Sequence, residues 1–226
     1  MKKLRFVIVP VLLSILFVMA SATIDGSKET EKVNSSIGVL KDFSKMEESI
    51  PHDLIAQCQG IVIVPNLINA GFVVGGKRGR GIAMIKLEDG SWSDPVFVTL
   101  TGGSIGFQIG VQSVDLVLVF RHKGVLTKVK DGDFTIGGDA SAAAGPVGRS
   151  TSANTDYKLE AEVYSYSRSR GLFAGISING SNLGIDKKAN ANFYGSDISS
   201  EDIFASGKSS TEVVKNLKET LKGMSK

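Results

Sequence analysis

Gly71-Phe72-Val73-Val74-Gly75-Gly76-Lys77 fills the first seven places of a P-loop. In such a loop, backbone N–H groups and the lysine cradle nucleotide phosphates, and a following Ser or Thr holds magnesium. Here the next residue is Arg78, so the metal-holding hydroxyl is missing. Ile82-Ala83-Met84-Ile85 then reads as a strand, so no helix N-terminus would face a phosphate. The expectation is a glycine-rich hairpin that presents Lys77, Arg78 and Arg80. The other reactive side chains are equally unarranged. His52 and His122 are far apart, and no Cys or His pair has metal-ligand spacing. No nucleophile-elbow pattern joins a Ser to an Asp and a His. Asp115 reads as a turn former and His122 as part of a solvated turn. Cys58 is the single cysteine, which excludes an internal disulfide; lying between apolar runs, it reads as a small buried hydrophobe. These residues predict no catalytic site, no metal and no cofactor.

The strand-like run Lys158 to Arg170 is more informative. Its even positions are Lys158, Glu160, Glu162, Tyr164, Tyr166, Arg168 and Arg170; its odd positions from Ala161 onward are mostly small. Alternation places two aromatics and two guanidiniums on one face. Gly171-Leu172-Phe173-Ala174-Gly175 follows as an apolar tip between glycines. Arginines beside leucine and phenylalanine are suited to anionic headgroups and acyl chains, which makes Arg168, Arg170, Leu172 and Phe173 candidate lipid contacts together with Lys77, Arg78 and Arg80. The alternative is a solvated strand face with Phe173 buried.

The elements that must position these residues are mostly strands. Val33, Ile37, Leu40, Phe43 and Met46 form one helical stripe behind a polar lead-in, Thr23 to Thr30, and Pro51 opens a short helix through Gln57. From Gly60 the period changes to that of strands, with Ile61 to Val64 ending at Pro65, then Gly71 to Gly76, then Gly81 to Leu87 before a Glu88-Asp89-Gly90 turn. Pro95 to Thr101 is the next strand, Ile105 to Val111 alternates in period two, and Leu116 to Phe120 is apolar on both faces. The loss of phase between them predicts a turn or bulge at Gln112 to Asp115. Gly137 to Asp156 reads as a long loop, and Leu172 to Ile178 as a strand after Lys158 to Arg170. Ser199 to Ser206 reads as a short helix closed by Gly207. Ser209 and Glu212 have capping-box spacing ahead of a final amphipathic helix through Leu221.

Met1 to Ala22 reads as an export signal: a basic start, an apolar stretch from Phe6 to Met19 that is shorter than the ~20 residues of a spanning helix, and Ala20-Ser21-Ala22 for cleavage before Thr23. The alternative is an uncleaved anchor. Lys2, Lys3 and Arg5 account for the whole formal charge of +3, so the mature chain has 23 basic and 23 acidic residues. No global basic field for nucleic acid remains, and an anionic partner must be met by a local patch. All 26 glycines lie after the signal, in keeping with short strands and tight turns.

Tyr164-Ser165-Tyr166-Ser167-Arg168-Ser169-Arg170-Gly171-Leu172-Phe173-Ala174-Gly175 closely resembles the signature of the SYLF domain family. The resemblance runs from about Leu54 to Phe204. It includes Gly60-Ile61-Val62-Ile63-Val64-Pro65, Gly90-Ser91-Trp92-Ser93-Asp94-Pro95, Gly102-Gly103-Ser104-Ile105-Gly106-Phe107 and Phe193-Tyr194-Gly195, in that order. It implies a lipid-binding, non-catalytic protein and, for a bacterial member, export to the periplasm or cell envelope. The basic amphipathic segment that eukaryotic members carry at the domain's N-terminus has no counterpart here, because Lys28 to Ile50 mixes acids and lysines evenly. The expected organisation is a signal peptide at 1–22, a polar lead-in and N-terminal helix at 23–50, and a SYLF-like domain with a C-terminal helix at 51–226. The expected fold is α+β and β-rich: an antiparallel sheet, sandwich-like or a partly closed barrel, with helices at both ends. The expected partner is anionic lipid or a membrane surface, not nucleic acid. The alternative is a structural or protein-interaction module with an envelope protein as partner.

Overall fold

The computed structural model describes residues 26–46, 49–129, 134–146, 161–169, 171–173, 176–195, 198–209 and 211–225, without the side chains of 72–74, 104–110 and 173. The segment 1–22 read as an export signal, Arg170, the side chain of Phe173 and the alternating side chains from Ile105 to Gly110 therefore lie outside the described residues.

Helix α1 (Gly26–Lys45) buries Val33, Ile37, Leu40 and Phe43, the stripe that the spacing predicts. It starts inside the segment read as a polar lead-in, and Glu29 in its first turn is buried. Helix α2 (His52–Gln57) follows Pro51. Strands β1 (Gly60–Ile85) and β2 (Val96–Phe120) then form one long antiparallel hairpin, in register from Gly60 opposite Phe120 to Ala83 opposite Val96. Its turn lies where Asp89-Gly90 predicts one: Leu87 N–H donates to Ser91 at 2.8 Å, and Gly90 takes φ 79°, which glycine adopts without strain.

Two sequence expectations fail on this hairpin. The glycine-rich segment around Lys77 is not a turn but the interior of β1, continuously paired with β2. The phase break before Asp115 is not a turn in β2 either. The irregularity sits across the ladder, where β1 bulges between Val64 and Leu67 and Asn66 takes φ 54°. β2 itself keeps one alternation, with Leu116, Leu118 and Phe120 in one apolar core and Val117 and Val119 in the other, so its sequence pattern changes because both faces become buried.

The remaining strands are short: β3 (Phe134–Ile136), β4 (Ala142–Ala144), β5 (Val163–Ser169), β6 (Leu172–Phe173) and β7 (Ser181–Ile185). They complete a seven-stranded, mostly antiparallel sheet in the order β3-β7-β2-β5-β4, with β1 on β2 and β6 on β5. The run predicted as a loop after Gly137 thus contains β4, which pairs in parallel with β5. Helices α3 (Lys123–Thr127), α4 (Lys187–Tyr194), α5 (Ser200–Ala205) and α6 (Glu212–Met224) supply the rest, giving the α+β architecture with helices at both ends. The cap of α6 differs from expectation. Thr211 is its N-cap, while Ser209 N–H donates to Asp94.

β1 coils until its two ends meet, partly closing the sheet into a barrel. Lys86 N–H donates to Gln59 O at 2.9 Å, and Gly79 and Gly81 cross directly over Ile63 to Leu67. One apolar core fills the inside of this curl, with Val62, Leu67, Val98, Leu100, Leu118 and Leu183 among its members. The other lies outside the sheet, where α1 and α6 cover Ile61, Ile63, Val117, Val119, Tyr164 and Tyr166. A Cβ on Gly81 would lie 2.0 Å from the Ile63 carbonyl oxygen, a backbone atom that cannot swing aside. Gly81→Ala is therefore expected to cost about 1–3 kcal/mol through overpacking of the seam, read as a lower urea midpoint. An unchanged midpoint would show that the seam opens freely.

Candidate functional site

The signature strand faces inward on both sides. Val163 belongs to the barrel core, and Tyr164 and Tyr166 belong to the core beneath α1 and α6. The even face read as aromatic and cationic surface is thus covered by helices, a contact that alternation within one strand cannot reveal. Arg168 continues that face. Its Nη2 donates to Asp42 Oδ2 of α1 at 2.5 Å and to Asp115 Oδ2 of β2 at 2.8 Å. Asp115 also accepts the Asn66 N–H at 3.0 Å, so this carboxylate joins the bulge of β1 to the arginine of β5. Arg168 clamps three elements, and Asp42 is the member that sequence reasoning missed.

The basic residues of β1 are spread over both faces. Lys77 is buried, with Nζ donating to the Ser177 carbonyl, and burial lowers its pKa. Arg78 is exposed. Arg80 bonds Asp186, the N-cap residue of α4, at 2.6 Å with its own side chain half exposed. Lys32 of α1 lies near enough to Arg80 that burial first, and that positive charge second, lower the lysine's pKa.

Leu172 is 73% exposed, as an apolar tip should be. Two further apolar residues accompany it that the sequence reading did not single out: Val111, 75% exposed, and Ile68, 43% exposed. Ala70 pairs with Val111 and Ile68 with Ser113, so Ile68 and Val111 are diagonal neighbours on one face. Ser169 Oγ donates to Ser113 O at 3.2 Å, and Ser169 pairs with Leu172. The large apolar residues exposed among the described ones therefore gather at a single end of the sheet. Ile68 and Val111 lie on the face that α1 covers further along, where α1 ends at Lys45 beside the Asp42–Arg168 bond, whereas Leu172, opposite Ser169, lies on the other face of that end. The signal available in the sequence was the weak one of an Ile and a Val flanked by Asn, Gly and Gln.

Two further polar groups hold the frame. Asp94, from the Trp-Ser-Asp-Pro run, accepts from Lys218 Nζ at 2.7 Å, Ser206 Oγ at 2.9 Å and Ser209 N at 3.1 Å, tying the start of β2 to α6. Lys86 Nζ donates to the Ile55 and Ala56 carbonyls at the end of α2 and lies 5.4 Å from the Trp92 ring centroid. Cys58 is buried with its thiol donating to Ile55 O at 3.2 Å, and burial pushes its pKa up to about 11. Little nucleophilic thiolate exists near neutrality in such a setting.

Comparison with known proteins fits these motifs. Residues 101–224 match the family profile described as Ysc84, Las17-binding protein actin regulator. The chain belongs to the Ysc84, or SYLF, family. Its relatives include "SH3 domain-containing YSC84-like protein 1" of Xenopus laevis, 37% identical over 172 residues that cover 76% of this chain and 51% of that protein. The human protein of the same name is also 37% identical, covering 73% of this chain and 50% of its own length. "LAS seventeen-binding protein 3" of Saccharomyces cerevisiae is 32% identical, covering 75% of this chain and 37% of its own. This SYLF chain thus spans about half the length of the vertebrate relatives, or less for the yeast one. The relatives are named as binding and regulatory proteins, not as enzymes.

Proposed function

We propose that this SYLF-family chain is a non-catalytic binding module that engages an anionic membrane surface through the apolar end of its sheet. The observation that carries the reading is the convergence of Ile68, Val111 and Leu172 on that end. Side chains of this kind gain free energy on leaving water for the headgroup boundary, and nearby cations attract the phosphates. Arg78 is exposed to meet phosphates and Arg80, although paired with Asp186, keeps a half-exposed side chain, whereas Arg168 is held by Asp42 and Asp115 with little exposure. With the export signal read at residues 1–22, the surface met would be that of a bacterial envelope.

Sedimentation of the chain lacking residues 1–22 with phosphatidylglycerol vesicles tests the reading. The parent should bind them more tightly than phosphatidylcholine vesicles, and less tightly as salt rises. Leu172→Ser should weaken binding roughly tenfold at every salt concentration, the size expected for losing one buried leucine. Equal binding by parent and variant would move the contact elsewhere. The second reading, a protein-interaction module, is favoured by the family's description as Las17-binding. It takes over if the folded parent ignores both kinds of vesicle.

A further inference from the structure

Lys77 and Ser181 make a pair that neither the fold nor the apolar end explains. Lys77 pairs with Gly102 across β1 and β2, and Gly102 pairs with Ser181 across β2 and β7. The three residues therefore lie in one row on the same face, the one lining the inside of the curl. Gly102 has no side chain, and Ser181 Oγ leans over it, 2.8 Å from where a Cβ would stand. Lys77 Nζ donates to the Ser177 carbonyl, four residues before Ser181. An ammonium and a hydroxyl thus share one row, flanked by residues 177–180.

Both groups are under-satisfied. Lys77 is 6% exposed, and no carboxylate pairs with it among the described residues; one neutral carbonyl takes one of its three N–H donors. Ser181 is fully buried, and its Oγ has no hydrogen-bond partner among the described residues. A desolvated cation without a counter-charge is costly, and so is a buried hydroxyl without a partner. A tetrahedral oxyanion would relieve both, one oxygen accepting from Nζ and another from Oγ, with a charge-assisted bond to the lysine.

We propose that Lys77 and Ser181 form a phosphoester pocket at the edge of the barrel interior. Its ligand is a phosphate group, carried either by a lipid headgroup or by a soluble phosphoester. The proposal rests on the membrane reading for the lipid source alone. Ser177, whose carbonyl takes the ammonium, is itself exposed, so a phosphate would reach the row from that side.

Thermal unfolding and amide NMR shifts, recorded with inorganic phosphate and with glycerol 3-phosphate at constant ionic strength, test the pocket directly. A ligand that binds only the folded state raises the melting temperature by mass action. The expected result is a saturable rise with matching shifts at Gly102 and Ser181. Lys77→Met should abolish both, and Ser181→Ala should weaken binding roughly tenfold, the loss of one hydrogen bond to a charged group. Ser181→Ala removes a single oxygen, so it keeps the test decisive if Lys77→Met folds poorly. The absence of any saturable response in the parent overturns the proposal, as does an unchanged response in Ser181→Ala. Phosphatidylglycerol vesicles separate the two readings. Vesicle binding without a phosphate response leaves the membrane surface and removes the pocket. A phosphate response without vesicle binding keeps the pocket, assigns it to a soluble phosphoester and ends the membrane reading.

Discussion

Replacing Arg168 with alanine is expected to lower stability by about 3 kcal/mol, chiefly because the Asp115 carboxylate would be left without a counter-charge. The Arg168 side chain is 16% exposed and that of Asp115 is 17% exposed, so water cannot readily take over the lost contact. The Asp42 side chain is 44% exposed, and its share of the bond is correspondingly screened. The order of effects follows: Asp42→Asn should cost much less than Arg168→Ala. Urea denaturation of both variants measures this, and an unchanged midpoint for Arg168→Ala would remove the clamp. The same variant separates structure from binding. At temperatures where it remains folded, Arg168→Ala should bind anionic vesicles like the parent, whereas Leu172→Ser should not. If Arg168→Ala, still folded, loses vesicle binding, the arginine meets lipid after all.

An effect of similar size is expected at Asp94, whose side chain is 4% exposed against 19% for its partner Lys218. Asp94→Ala strands the lysine and leaves the Ser206 hydroxyl and the Ser209 N–H without their acceptor, together about 3–5 kcal/mol. The loss should appear first in α6, which lies on α1 through Val213, Val214, Leu217 and Leu221. Hydrogen exchange should show the amides of residues 212–224 losing protection before those of β1 and β2. A double variant, Asp94→Ala with Lys218→Met, removes both charges and should recover part of the loss, since replacing both partners of a buried pair costs less than removing one. No recovery would mean that the hydroxyl and amide bonds, not the ion pair, hold α6.

The family and the local elements were legible in the chain itself. Val33 to Phe43 predicted the buried stripe of α1, Leu116 to Phe120 predicted a strand buried on both faces, and Asp89-Gly90 marked the hairpin turn. Each of these signals sits within a few residues, where spacing and turn chemistry decide the outcome. The glycine run at Gly75 to Gly81 misled for the opposite reason. Gly79 and Gly81 serve a close approach to Ile63, Val64 and Leu67, and Gly75 one to Ala70, all in the same strand, not a reversal of the chain. Ser209 and Glu212 have capping-box spacing, yet Asp94, far away in sequence, takes the Ser209 amide.

The candidate site divides the same way. The sequence by itself determined the SYLF signature, the exposed Leu172 and the inert Cys58, because a family motif, an apolar residue after a glycine and an apolar flank are local facts. Only the tertiary structure decided what the cations do. Arg168 meets Asp42 across 126 residues and Asp115 across 53, and Lys77 reaches Ser177 across 100. Alternation reports which face of a strand a side chain occupies, but whether that face meets a helix, the barrel interior or water depends on what the rest of the chain lays over it. The same coverage rule exposed Ile68 and Val111: α1 ends before it reaches them, and the sheet goes on beyond the helix that would have buried them.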